Sequence, residues 1–154
     1  MTVPDAPPGR PKPAPVVTPE TAPFWEAAQR DELSIQRCTA CGRHYFYPRP
    51  FCPHCFSDEV EWVAVSGRAT LHSYVINHRP LPGWEDDGPY AIAVVELEEG
   101  PRMATNIVGI PNTPEDLVLD MALEVCFVEQ SGMKVPKFRP LAGPLGSESQ
   151  GPPS

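Results

Sequence analysis

The sequence predicts a mainly β fold in which a short helix, a small cysteine-rich ribbon and a five-stranded barrel follow one another. Three observations carry this. Phe24, Trp25, Ala28 and Leu33 recur near helical spacing. Two CxxC pairs, Cys38/Cys41 and Cys52/Cys55, stand ten residues apart. From Val60 onward, apolar residues alternate with period two.

The helix is expected over about 22–32, within an amphipathic segment 18–33. Thr18-Pro19-Glu20-Thr21 reads as its start: Thr18 caps, Pro19 suits a first helical position and Thr21 supports the cap. Residues 34–59 follow as the ribbon. SIQRC and HYFYPRP are short and β-like, and turns fall at Cys38–Gly42 and Cys52–Cys55. So short a segment has no ordinary core, so a metal must supply the missing stabilisation.

Each CxxC turn lets two sulfurs converge on one ion, and two such turns joined by a hairpin complete a tetrahedron. The spacing therefore marks Cys38, Cys41, Cys52 and Cys55 as ligands of one structural Zn²⁺. Iron in a rubredoxin-like site, or disulfides, are the alternatives. All four positions are filled by cysteine, which leaves none for water or substrate and argues against catalytic zinc. Cys126 sits in the apolar run LEVCFVE and reads as a small buried hydrophobe. His44 and His54 read as ribbon residues.

Strands are expected at 60–65, 68–78, 90–98, 102–108 and 123–129, punctuated by Gly67 and Gly100-Pro101, with a short turn or helix at 112–121. Five short antiparallel strands with one intervening helical turn fit an OB-fold barrel over 60–142; a small sandwich is the competing architecture. Residues 1–17 and 143–154 are crowded with proline and poor in apolar residues, so they read as disordered tails.

The composition narrows the function classes. The formal net charge is −8, and four thiolates on one Zn²⁺ would add −4 + 2 = −2, giving −10. Such a surface repels phosphate backbones and argues against general nucleic-acid binding. No run approaches the roughly 18 apolar residues of a membrane span. The first residues lack an apolar signal core, which points to the cytoplasm, where reducing conditions favour metal over disulfides.

Catalytic signals are sparse. His72 and His78 lie in or just after a strand, with no accompanying serine or cysteine motif. Glu85, Asp86 and Asp87 lack the spacing of a calcium loop and read as a solvated loop. The run Met133–Pro140 differs, because Lys134, Lys137 and Arg139 surround Phe138 in an otherwise acidic chain. It reads either as a phosphate-holding patch with Phe138 as a stacking face, or as a solvated edge strand. Phe24 and Trp25 require burial, either on the chain's own barrel or in a partner.

Together, the FW helix, the CxxC–CxxC ribbon, the barrel carrying PYAIAVVELEEGPRMATNIVG and the terminal KFRP resemble the zinc-ribbon/OB-fold acyl-CoA-associated proteins. The resemblance covers about residues 20–141. It implies a non-catalytic accessory subunit of a thiolase-superfamily enzyme, at times with a MaoC-like hydratase. In steroid side-chain degradation the partner is a thiolase-like retro-aldolase. The implied role is to help form the partner's acyl-CoA site for C–C bond cleavage or formation. It assigns zinc to the four cysteines, and partner or acyl-CoA contact to Phe24, Trp25, Lys137, Phe138 and Arg139; Lys134 joins these expected contacts as part of the same cationic run. The alternatives are a free-standing acyl-CoA or lipid binder and, less favoured by the charge, a single-stranded nucleic-acid module.

Overall fold

The structure, a computed structural model, describes residues 12–84, 86 and 88–141. Among the described residues, one helix, α1 (Ala22–Gln29), precedes eight strands. These are β1 (Ser34–Cys38), β2 (His44–Tyr45), β3 (Val60–Ala64), β4 (Arg68–Asn77), β5 (Tyr90–Leu97), β6 (Arg102–Thr105), β7 (Ala122–Gln130) and β8 (Met133–Pro140). Mostly strands, a ribbon and then a curled five-stranded sheet is the architecture the sequence predicts.

The helix is shorter than expected and begins one turn after Thr18. Thr18 builds a turn, its carbonyl accepting from the Thr21 and Ala22 N–H groups at 3.0 and 2.8 Å. Thr21 is the N-cap, and Pro23, not Pro19, occupies the first helical turn. The helix stops at Gln29 because Asp31 turns left-handed (φ 63°), and the Glu32 N–H closes back on the Ala27 carbonyl at 3.0 Å. Its buried face is Phe24, Ala27 and Ala28.

The strands form two sheets, ordered β2-β1-β3 and β6-β5-β4-β7-β8. β3 was expected in the barrel. It instead pairs along its whole length with β1, from Ser34↔Ala64 to Cys38↔Val60. Period two identifies a strand but says nothing about which sheet takes it. The barrel's fifth strand is β8, paired with β7 from Leu123↔Pro140 to Gln130↔Met133. A parallel bridge, Ile107↔Phe138, brings the chain after β6 against β8 and curls the sheet toward closure. The Phe138 N–H donates to the Asn106 carbonyl (3.1 Å), and the Val108 N–H donates to the Phe138 carbonyl (2.8 Å). Residues 112–121 form turns, not a helix, and carry buried Leu117 into the core.

One apolar core serves ribbon, helix and barrel alike. Phe24 of α1, with Leu33 and Ile35 at β1, joins Leu71, Val95, Leu123 and Phe138 of the barrel. Gly67 makes the junction between the sheets possible. Its φ of 81° favours glycine, and a Cβ there would lie 2.6 Å from Val125 Cγ1.

Of the tails expected to be disordered, residues 1–11 and 143–154 lie outside the described residues. Residues 12–17 have no helix or strand, yet Gln130 Nε2 donates to the Pro13 carbonyl at 2.9 Å.

Phe138 is fully buried, with its ring inside the barrel. It therefore has no face for a ligand, and the expected stacking role is corrected to a packing role. Phe138→Ala is expected to cost about 3–5 kcal/mol of unfolding free energy, read by urea denaturation; a loss under about 1 kcal/mol would contradict this burial.

Candidate metal centre and partner surface

β1 delivers Cys38 at its last position, and the turn after it delivers Cys41. A second turn of the same design supplies Cys52 and Cys55. In the first, the Gly42 N–H donates to the Cys38 carbonyl at 2.8 Å; in the second, the Phe56 N–H donates to the Cys52 carbonyl at 2.8 Å. Both closing residues are left-handed, Gly42 at φ 81° and Phe56 at φ 65°.

The four Sγ atoms lie within 4.8 Å of one another. Cys38 and Cys55 sulfurs are 3.6 Å apart, and those of Cys41 and Cys52 are 3.7 Å apart. A tetrahedral site with Zn–S bonds of about 2.3 Å sets sulfurs about 3.8 Å apart. A disulfide needs about 2.0 Å. The donors thus fit a four-coordinate thiophilic ion. Backbone N–H groups also point at the sulfurs: Cys41 N–H at Cys38 Sγ (3.4 Å) and His54 N–H at Cys52 Sγ (3.3 Å). Such donors stabilise thiolates and orient ligands.

The thiols respond to this crowding in opposite directions. Burial works to raise Cys52, yet the Cys55 and His54 N–H groups and the neighbouring thiols of Cys41 and Cys55 bring it down to about 7. The Ser57 N–H favours the Cys55 thiolate, but burial and the sulfurs of Cys38, Cys41 and Cys52 push that thiol up to about 12. Four touching sulfurs cannot all carry charge unaided, and a bound dication relieves that conflict.

Around the cage the ribbon has only a minor core, Cys38, Tyr45 and Cys52 with Val60 against them. Tyr45 is buried, and its hydroxyl donates to the Arg49 carbonyl at 2.8 Å. His54 faces Arg43, with Nδ1 3.3 Å from the guanidinium, and no ligand position falls to either His44 or His54. Cys126 is half-buried in β7 opposite Lys137, and burial raises its thiol.

The structure disperses the other expected contact residues. Phe24 is buried, 4.8 Å edge-to-face from Trp25 and 5.4 Å from Phe46. Trp25 is half-buried, and its indole N–H has no acceptor among the described residues. Lys134 ties β8 to the helix end. Its Nζ is 2.9 Å from Asp31 Oδ1, and its N–H donates to Gln29 Oε1 at 3.0 Å. Arg139 pairs with Glu124 at 2.9 Å.

Lys137 is different: it is buried, donates to Asn106 Oδ1, and lies 5.1 Å from the centre of the Trp84 ring. With Trp84, Tyr90, Asn112 and Lys12 it lines a cavity of about 440 Å³. Trp84 and Tyr90 stack obliquely, 5.3 Å between centroids. Sequence reasoning missed this aromatic wall. The only signal for it was Trp84 in a glycine- and aspartate-rich loop, which pattern alone assigns to solvent.

No catalytic set assembles among the described residues: no histidine ring is hydrogen-bonded to a serine, cysteine or carboxylate. His72 is exposed at a bulge between Leu71 and Ser73, and His78 is exposed after β4. Glu85 and Asp87 lie outside the described residues, and Asp86 is exposed. Among the described residues, no helix is long and apolar enough to cross a membrane.

Purified protein is expected to carry one zinc per chain, and Cys52→Ser to lose most of it. Elemental analysis on both checks this; wild-type protein without stoichiometric metal contradicts the site.

Comparison with known proteins places these features in a lineage. Residues 25–61 match the "ChsH2, rubredoxin-like zinc ribbon domain" and residues 62–128 the "ChsH2, C-terminal OB-fold domain". A probable enoyl-CoA hydratase alpha subunit of Thermomonospora curvata is 37% identical over 131 residues, which is 84% of this chain but only 40% of that protein. A DUF35 domain-containing scaffold protein of Methanothermobacter thermautotrophicus is 34% identical over 70% of this chain and 81% of its own length. The benzoylsuccinyl-CoA thiolase subunit BbsA of Thauera aromatica is 31% identical over 53% of this chain and 55% of its own. Among solved structures, a chain of the Ltp2-ChsH2(DUF35) aldolase superposes with a TM-score of 0.73 at 36% identity, covering 82% of this chain and 98% of that one. The chain belongs to the ChsH2-type DUF35 family of zinc-ribbon/OB-fold proteins.

Proposed function

We propose that this chain is a non-catalytic accessory subunit that docks on a thiolase-fold enzyme and helps form its acyl-CoA site. The reaction served is C–C bond cleavage or formation, thiolytic or retro-aldol, in lipid or steroid side-chain breakdown. The observation that carries this reading is the match to nearly the full length of one chain of an aldolase complex. A relative named as a thiolase subunit supports it.

The geometry supports the same division of labour. The described residues bring together a metal cage and a packed barrel, and no nucleophile–base pair. The partner would supply the reacting groups. This chain would supply shape, a dry wall and polar contacts. The cavity beside Trp84 offers an aromatic face and the Lys137 ammonium, a pairing suited to part of an anionic, ring-bearing ligand such as acyl-CoA. Zinc would be structural, held by Cys38, Cys41, Cys52 and Cys55. The relative named as an enoyl-CoA hydratase alpha subunit supports a MaoC-like hydratase as an additional neighbour.

The cavity also favours a second reading, a free-standing acyl-CoA binder. Co-expression with a thiolase-type subunit, such as Ltp2 of the solved aldolase, followed by sizing and activity assay, tests the first. A co-eluting complex with activity well above that of the partner alone is expected. A partner fully active alone, with no complex, would sink it. Calorimetry of the isolated chain with long-chain acyl-CoA tests the second; heat there without any complex would favour it.

A further inference from the structure

The two metal-binding turns are built alike, yet they close differently. The position after the second cysteine must be left-handed in both. In the first turn it is glycine, the residue suited to that backbone. In the second it is Phe56, at φ 65° and 79% exposed. A side chain in that region crowds the following carbonyl, and an aromatic ring in water gains nothing for the isolated fold. Local strain and an exposed aromatic coincide at one position, where the same chain shows that glycine serves.

The surroundings supply direction. Tyr47 and Phe51, 48% and 55% exposed, flank Arg49 at two residues on either side. Arg49 and Arg43 line an open groove of about 580 Å³ where the ribbon meets the β5–β6 turn. Among the described residues neither arginine has a carboxylate within ion-pair distance, although the chain's formal charge is −8. Glu99 lines the same groove. Its Oε2 accepts from the Ser66 N–H at 3.0 Å, while its Oε1 is shielded and has no donor.

We infer that this ribbon tip is the docking surface for the thiolase-type partner, and that it takes an acidic, apolar-anchored segment of that partner. Phe56, Phe51 and Tyr47 supply apolar anchors, and Arg43 and Arg49 meet carboxylates. The exposed Tyr47, Phe51 and Phe56 side chains favour an apolar-anchored peptide over a phosphate-bearing ligand. This inference rests on the accessory-subunit reading above and assigns its interface.

The test measures binding of the zinc-loaded full chain to purified Ltp2 subunit. Phe56→Gly is expected to leave the melting temperature unchanged or raise it, while weakening binding by about tenfold or more. Arg43→Glu/Arg49→Glu is expected to weaken binding similarly and to flatten its salt dependence, with Arg79→Glu as a surface control for the charge reversal made at each position. If wild type does not bind at all, the accessory-subunit reading fails with the inference. If wild type binds and both the Phe56 and the double arginine variants bind equally well, only the inference fails. Saturable binding of free coenzyme A to wild type, lost in the double arginine variant, would assign the groove to a phosphate ligand and overturn it.

Discussion

Four sulfurs converging on one point are the constraint on which the ribbon depends. The segment from Ser34 to Ala64 owns too little apolar surface to fold alone: its private cluster is two cysteines and a tyrosine, with Val60 at the edge. Structural zinc in small domains contributes on the order of 10–16 kcal/mol, more than so small a cluster supplies. The cage therefore fixes where β2 and β3 stand against β1. Through β1 it also fixes where Ile35 and Leu33 enter the barrel's core.

That shared core makes the two halves one platform. Phe24, Leu33 and Ile35 pack with Leu71, Val95 and Phe138, so the helix and ribbon are held on the barrel by burial and not by a linker. Lys134 adds polar ties between β8 and the end of α1. Exposed on the surface, such ties contribute little by themselves. They set orientation, and the apolar core supplies the stability.

Much of this was legible in the sequence, for identifiable reasons. Two CxxC pairs leave few geometries open, and the alternation after Val60 locates β4, β5, β6 and β7 closely. The failures have physical causes as well. β3 reads as a barrel strand because period two is blind to sheet membership. β8 does stand at the sheet edge, but two prolines and three cations around Phe138 made it read as solvated and hid how deeply that ring packs. Yet the strand alternates faces, so Phe138 turns inward while Lys137 and Arg139 turn away. The helix starts at Ala22 as expected, but Thr21 and not Thr18 stands at its cap, because Thr18 and Thr21 form a turn of their own before it. The Trp84 wall and the Arg43–Glu99 groove could not be found by pattern, because each joins residues distant in sequence across the folded surface.

Amide hydrogen exchange on zinc-loaded and chelated protein tests the central role of the cage most directly. The account predicts that removing zinc abolishes protection across β1, β2 and β3 while β4, β5 and β7 keep theirs. Unchanged protection of the ribbon after complete metal removal would contradict it.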